Sequence, residues 1–147
     1  MQTFLPSPSY IESAQMLDYR RLGKQRVECK QILLALRKTQ GGWVNHPATK
    51  MWRGYEYELA SYGSAMCREW IKRGYRDSLS VDFELWRYIL DGKASEAGIP
   101  RHPVPPWLGD ERLHASHRSN LLRKDPKYYA RFGWTEPDDM PYVWPVV

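Results

Sequence analysis

The sequence contains only two cysteines and no long run of apolar residues. Cys29 and Cys67 are too few for a disulfide framework, so we expect both to be buried free thiols. No stretch approaches the ~20 apolar residues of a membrane-spanning helix. The first residues lack the positive charges and the apolar run of a signal peptide. We therefore expect a cytoplasmic protein, associated with the nucleoid if it binds DNA.

Several motifs of cofactor and catalytic chemistry are also missing. The sequence has no glycine-rich phosphate-binding loop, no serine nucleophile elbow and no paired-carboxylate motif. His114 and His117 could place two imidazoles on one helix face, but no cysteine or carboxylate cluster joins them at ligand spacing. We therefore predict neither a metal ion nor another cofactor.

Basic and aromatic residues are abundant instead. The 147 residues include 22 Lys and Arg against 17 Asp and Glu, which gives a net charge of +5, and there are seven Trp and ten Tyr. The aromatics exceed what a core of this size needs, so we expect some of them at a binding surface. A basic surface favours phosphate-bearing partners, although many ordinary basic proteins have a similar charge balance.

The spacing of apolar residues predicts an all-α fold for residues 1–147, as a compact single-domain bundle of three main helices. Long loops rich in proline and aromatic residues connect them. Ser9 and Glu12 have capping-box spacing at the first helix, Gly23 is a candidate kink within it, and Gly74 is placed to end the second. The predicted segments are an extended start over 1–8, main helices over 10–38, 49–73 and 111–124, a shorter helix over 81–90, a proline-rich loop over 91–109, and an irregular end over 127–147 whose last part, 135–147, is a strap.

Cations are concentrated in the first predicted helix, where only Asp18 and Glu28 oppose them. Side chains three or four residues apart share a helix face, so Arg20, Lys24 and Glu28 form one row. The mutual repulsion of the cations would be relieved by a polyanion, whereas the alternative interpretation is an ordinary solvated helix face. The five cations are Arg20, Arg21, Lys24, Arg26 and Lys30.

A second basic region alternates with aromatic residues near the C-terminus. Phosphates need cations and unpaired bases need stacking surfaces, so this alternation is typical of a nucleic-acid interface. The alternative is that the aromatics anchor the C-terminal segment to the core, and for Trp134 that alternative is favoured. Together with His46, whose loop position is more typical of a loop-fixing histidine, the predicted nucleic-acid-binding residues are Arg20, Arg21, Lys24, Arg26, His46, His114, His117, Arg118, Arg123, Lys124 and Tyr128.

The order of these features resembles the phage-type pyrimidine-dimer DNA glycosylases, the endonuclease V-like enzymes of UV repair. The resemblance extends over residues 10–134. The stretches that carry it are Asp18-Tyr19-Arg20-Arg21-Leu22, His46-Pro47, Glu69-Trp70-Ile71-Lys72-Arg73-Gly74-Tyr75, His114-Ala115-Ser116-His117-Arg118-Ser119 and Leu122 to Trp134.

The resemblance implies a compact helical enzyme whose N-terminal amine attacks the sugar C1′ of a damaged nucleotide and forms a Schiff base. It also implies an essential glutamate in the first helix and neighbouring arginines that grip DNA. Arg20 matches a DNA-gripping arginine and Lys24 lies near another. Arg21, however, occupies the place of the catalytic glutamate. Gln2 replaces a small residue, so the reactive amine would belong to Met1.

Two departures at catalytic positions leave two hypotheses open. In the first, the chain is a DNA glycosylase, with possible AP-lyase activity, that excises a damaged or modified base. Glu28 then supplies the carboxylate, and Lys24 or the Met1 amine the nucleophile, since a lysine among cations loses its proton more readily. In the second, the fold binds nucleic acid or sequesters a nucleotide without catalysis, and Lys24 and Glu28 are an ordinary i,i+4 ion pair. The expected partner is double-stranded DNA with a flipped base.

Overall fold

The computed structural model describes residues 1–146, and that range contains helices and loops but no β-strand. The predicted all-α fold is confirmed. None of the helices in this range combines the length and the apolar run that crossing a membrane requires. The helices are α1 (Tyr10–Met16), α2 (Tyr19–Leu36), α3 (Pro47–Trp52), α4 (Glu56–Lys72), α5 (Ser80–Glu96), α6 (Glu111–Lys124) and α7 (Pro126–Tyr129).

The first predicted helix is in fact two helices. The chain is extended at Leu17 (ψ 139°) and Asp18 (ψ 160°), so the break falls there. Gly23 does not interrupt α2. It has another role, because a Cβ at this position would lie 2.8 Å from the ring of Trp70. The absence of a side chain therefore lets Trp70 pack directly on α2.

Three other predicted boundaries were wrong. The helix predicted over 49–73 is divided into α3 and α4, with Gly54 at φ +89° between them. The helix predicted over 81–90 continues to Glu96, so residues 91–96, which were predicted to belong to the proline-rich loop, are helical. Helix α7 and a 3₁₀ turn at Ala130–Phe132 occupy part of the end that had been predicted as irregular. Helix α6 was predicted correctly, and Val147 of the predicted strap lies outside the described residues.

Helix α4 lies at the centre of the bundle and contacts α1, α2 and α5. The contact with α2 is close because Gly63 faces it, and a Cβ on Gly63 would come within 2.8 Å of Cys29 Sγ and of the Phe83 ring. Both cysteines are buried free thiols, as predicted. Trp134 stacks on Phe132 (5.0 Å between ring centroids) and on buried Tyr129, which agrees with the anchoring interpretation.

The first eight residues, called here the N-terminal segment, run through the interior. Thr3 and Leu5 are completely buried. No strand pairs with this segment, so side chains on the helices satisfy its main-chain groups. Ser13 Oγ, for example, accepts from Ser7 N–H (3.2 Å) and donates to Ser7 O (2.8 Å). The segment is therefore bound by the helices much as a peptide ligand would be.

Two buried histidines of α6 hold the centre of this segment. Leu5 N–H donates to His117 Nδ1 (2.9 Å), and His114 Nδ1 donates to Leu5 O (2.7 Å). His114 Nε2 accepts from Gly109 N–H (2.9 Å), so both of its nitrogens are used. Within residues 1–146, no three potential metal-ligating side chains come together. The two histidines therefore act as a hydrogen-bonding clamp on Leu5.

We predict that this clamp makes the fold sensitive to acid through His117. Burial, and then the nearby charges of His114 and Arg118, lower the pKa of His117 from 6.5 to about 3. Between these values the unfolded chain binds a proton that the folded chain does not, so the free energy of unfolding should fall as the pH falls. Urea denaturation at a series of pH values measures this loss.

The variant His117→Asn keeps an acceptor near Nδ1 but has no titratable ring, so its stability should depend less on pH in this window. Gln31→Asn, at an exposed position of α2 outside the clamp, is the control and should follow the wild type. If His117→Asn and the wild type show the same pH dependence, His117 is not the group responsible.

Candidate active site

An open cavity of about 710 Å³ lies between the N-terminal segment, the first half of α2, the end of α6, α7 and Tyr142 of the C-terminal strap. We call it the α2 cavity. Its walls combine cations, three carboxylates and aromatic rings. The lining residues are Met1, Gln2, Phe4, Asp18, Tyr19, Arg20, Arg21, Lys24, Gln25, Glu28, Lys124, Asp125, Tyr128 and Tyr142.

Glu28 is one of two buried carboxylates of this cavity, with 8% of its surface exposed, and Asp18 is the other. Its Oε2 accepts from the Gln2 N–H (3.1 Å) and from Gln25 Nε2 (3.2 Å). Its Oε1 lies 3.5 Å from Lys24 Nζ. Two fixed donors therefore hold one oxygen, while the other faces an exposed ammonium group. This geometry fixes the carboxylate in one orientation next to the start of the chain.

The Met1 amine lies one residue from the amide that Glu28 holds. Partial burial is the main cause that lowers the pKa of His46, and the positive charge of the Met1 amine lowers it further. The negative charge of Glu28 acts in the opposite direction. The amine, His46 and Glu28 are thus close enough to influence one another electrostatically. His46 Nδ1 accepts from Ala48 N–H (3.0 Å) and caps α3. His46 is a loop-fixing residue beside the amine, outside the cavity lining.

Gln25 joins the N-terminal segment to Glu28. Its Oε1 accepts from Phe4 N–H (2.8 Å) and from Tyr62 OH (2.6 Å), and its Nε2 donates to Gln2 O (2.9 Å) as well as to Glu28. Only 1% of Gln25 is exposed. All four hydrogen-bonding positions of the amide are therefore used. Gln25 sets the distance between the first residues and the carboxylate.

Four of the predicted cations surround the α2 cavity: Arg20, Arg21, Lys24 and Lys124. Arg21 contacts Asp18 Oδ2 at 3.2 Å, and Tyr129 OH also donates to Asp18. Partial burial and the neighbouring charges of Arg21, Arg123 and Lys24 lower the pKa of Lys124. That shift shows that the cations lie close enough to repel one another, and an anion in the cavity would relieve the repulsion.

Other predicted nucleic-acid-binding residues lie elsewhere. Arg26 is buried and bound to Asp77 through two hydrogen bonds (2.6 and 2.9 Å). Arg118 contacts Glu111 and Glu136 and donates to Pro6 O, so it fastens the N-terminal and C-terminal segments to α6. Arg123 is exposed and contacts Asn120. The two clamp histidines have no exposed surface.

The structure adds residues that sequence reasoning missed. Gln25 lies three residues before Glu28, a spacing that does place both on one helix face, but glutamine alone gives no signal of a role. Phe4 reaches the cavity because the N-terminal segment is buried. Tyr142 belongs to the predicted strap, and no local pattern indicates which way its ring turns. The remaining additions are Gln2, Asp18, Tyr19 and Asp125.

The model of one protein family, described as pyrimidine dimer DNA glycosylase, matches residues 1–82. The chain belongs to this family. No curated protein and no solved structure is significantly similar to the chain. Membership supports a glycosylase-type function on DNA.

The matched range of this pyrimidine dimer DNA glycosylase family member contains α1 to α4 and the first residues of α5. Met1, Arg20, Arg21, Lys24 and Glu28 all lie within it. The lining residues Lys124, Asp125, Tyr128 and Tyr142 lie outside it. The groups suited to chemistry therefore come from the matched part, and the rest of the cavity lining comes from the C-terminal part of the chain.

We predict that Gln25→Leu strongly destabilises the protein. The leucine fills a similar volume but leaves Phe4 N–H and Gln2 O buried without their partner and removes one donor from Glu28 Oε2, whereas Tyr62 OH keeps Phe4 O as an acceptor. Because each unsatisfied buried group costs about 1–3 kcal/mol, the free energy of unfolding should fall by roughly 3–5 kcal/mol. Gln31→Leu, at an exposed position of the same helix, should change it by less than about 0.5 kcal/mol. Equal values for the two variants in urea denaturation would show that the hydrogen bonds of Gln25 are unimportant.

Proposed function

We propose that this protein is a DNA glycosylase that excises a damaged or modified base, with the Met1 amine as nucleophile and Glu28 as its catalytic carboxylate. One observation carries the proposal: Glu28 Oε2 accepts the N–H of Gln2 at 3.1 Å, next to the terminal amine and inside a cation-lined cavity. Lys24 is the less favoured amine because its side chain is 72% exposed and ion-paired with Glu28.

In the proposed reaction the lone pair of the Met1 nitrogen forms a bond to the sugar C1′. The N-glycosidic bond breaks, and its electron pair leaves with the base, which takes up a proton. The nitrogen then loses one proton, the C1′–O4′ bond breaks with its electron pair on O4′, which takes up a proton, and the nitrogen lone pair forms the C=N bond of a protonated Schiff base. In this proposal Glu28 accepts the proton from the amine and stabilises the positive charge that develops on the sugar.

The cavity also suits the substrate that this reaction requires. A base inside duplex DNA must leave the stack before its C1′ can be attacked, and a flipped nucleotide needs both phosphate contacts and an aromatic surface. Arg20 and Lys124 both line the cavity and are the proposed phosphate-binding cations. Phe4, Tyr128 and Tyr142 provide rings for the base. We infer that double-stranded DNA with a flipped base is the ligand.

Arg21 favours a second candidate function, which is binding without catalysis. It stands where the family resemblance places the essential glutamate. Glu28 lies two helical turns further along α2, and both residues line the same cavity. The cavity therefore contains a glutamate, but at a position different from the one that the family resemblance implies. The two candidates differ in whether a base is released, and this difference can be measured directly.

We predict that Glu28→Gln abolishes base release and retains DNA binding. Glutamine keeps the shape of the side chain but removes its charge and its ability to accept a proton. Because acid–base catalysis contributes about 10²- to 10⁴-fold, single-turnover base release from UV-irradiated or otherwise modified duplexes should fall at least about 100-fold. Glu96→Gln, at an exposed position of α5, is the control. Tight binding by the wild type without release of any base would support the non-catalytic candidate.

We predict that borohydride links the wild-type protein to DNA containing an abasic site, and that the link forms at Met1. Chemical acetylation of the terminal amine should eliminate trapping, whereas Lys24→Ala and Lys124→Ala should retain it. Mass spectrometry of the digested adduct identifies the attached residue. An adduct on Lys24 or Lys124 would contradict the assignment of the nucleophile. The role of Glu28 is tested separately, by the base release of the Glu28→Gln variant.

A further inference from the structure

A series of stacked side chains lies next to the α2 cavity and takes no part in the proposed reaction. The Tyr75 ring stacks on Trp70, with 4.2 Å between centroids and 24° between planes. Tyr19 continues the series, 6.4 Å from Tyr75 at 23°. The Arg26 guanidinium lies 4.7 Å from the Trp70 ring, and that of Arg20 lies 5.7 Å from the Tyr19 ring. We call the two exposed rings the tyrosine pair.

The end of α4 fixes the position of Tyr75. Gly74 adopts φ +97°, the Gly74 N–H donates to Ile71 O (2.9 Å), and the Tyr75 N–H donates to Trp70 O (3.2 Å). This is the Schellman motif, in which the residue after the glycine packs back on the last helical turn. The Trp70 indole N–H donates to Arg76 O (2.8 Å). Tyr75 therefore packs on the Trp70 ring, which is itself fixed by Arg26 at its face and by this hydrogen bond at its edge.

The tyrosine pair is exposed despite this rigid support. Tyr19 is 51% exposed and Tyr75 is 40% exposed. Tyr19 and Arg20 both line the α2 cavity, so the pair continues its rim. In the described residues, no carboxylate oxygen lies within 4 Å of the Arg20 guanidinium, which leaves its charge available to a phosphate. Rigid, exposed aromatic rings beside an available cation are the features of a nucleic-acid stacking surface.

We propose that the tyrosine pair binds the base that flanks the flipped nucleotide on the same DNA strand. This inference rests on the proposed function, because a nucleotide in the cavity places its neighbour at the rim. Extraction of one base removes a stacking partner from the next, and an aromatic ring can replace that partner whatever the sequence. Arg20 then binds the phosphate between the two nucleotides.

The test uses a duplex that contains one tetrahydrofuran abasic-site analogue, with 2-aminopurine as the next base on the same strand. Stacking on a tyrosine keeps 2-aminopurine fluorescence low, whereas an unstacked base is bright. The double variant Tyr19→Leu/Tyr75→Leu should bind this duplex about 10-fold more weakly and give a brighter complex than the wild type. The double variant Tyr19→Phe/Tyr75→Phe keeps both rings but loses the Tyr19 hydroxyl, which accepts from Arg20 Nε (3.1 Å). Its complex should therefore be as dark as that of the wild type, and the fluorescence is the readout for this control.

Two further variants separate stacking from charge and from general surface effects. Arg20→Gln should lower the slope of log affinity against log salt by about 0.9, whereas the leucine double variant should leave the slope unchanged. Tyr88→Leu removes a tyrosine that is 77% exposed on α5 and should change neither the affinity nor the fluorescence.

The possible results separate this inference from the proposed function. Equal affinity and equal fluorescence for the leucine double variant and the wild type would overturn the stacking site. So would a change seen only when 2-aminopurine is placed on the opposite strand. Loss of the stacking signal in the double variant, together with no base release by the wild type, would support the stacking site and contradict catalysis. Failure of the wild type to bind the duplex would overturn both.

Discussion

A stretch of chain that is buried without a neighbouring strand has to find partners for its main-chain N–H and C=O groups elsewhere. In this protein the N-terminal segment is such a stretch, and the surrounding helices supply the partners through side chains. Gln25 from α2, Tyr62 from α4 and the clamp histidines from α6 each bind a main-chain group of the segment. The bundle is thus assembled around its own first residues.

The same requirement shapes the candidate active site. The carboxylate of Glu28 satisfies the first internal amide of the chain, and Gln25 binds both the segment and that carboxylate. The carboxylate to which we assign the chemistry is therefore also part of the hydrogen bonding that stabilises the fold. Positioning of the amine does not depend on a mobile loop, since residues 2 to 7 are buried. The cost is that the carboxylate cannot be moved without disturbing the segment.

The sequence predicted a helix best where both of its ends are explicit, as in α6. Asp110 caps the start of α6 and Asp125, followed by Pro126, lies at its end. The break at Leu17 was missed because a helical pattern of apolar residues continues across it. The absence of a helix over residues 1–8 agrees with the extended start that was expected, but nothing local indicates that such a segment lies in the interior. Burial of that kind depends on side chains more than a hundred residues away, such as His117.

Local patterns also predicted part of the site. The row of Arg20, Lys24 and Glu28 was visible from helical spacing, and all three residues line the cavity. Charge alone could not show that Arg26 and Arg118 are bound to carboxylates, because Asp77 and Glu136 are distant in sequence. The tyrosine pair likewise joins the start of α2 to the residue after α4, a contact that no single helix pattern contains.

The division of the α2 cavity between two parts of the chain has a consequence for how such a protein can change. Residues 1–82 hold the amine, the carboxylate and most of the cations, while the facing wall comes from α6 and from Tyr142. Substitutions in that facing wall can alter the shape offered to a base without touching the hydrogen bonds of the N-terminal segment. In the glycosylase that we propose, substrate preference can therefore drift independently of the reaction, so that one catalytic framework can accommodate a succession of different lesions.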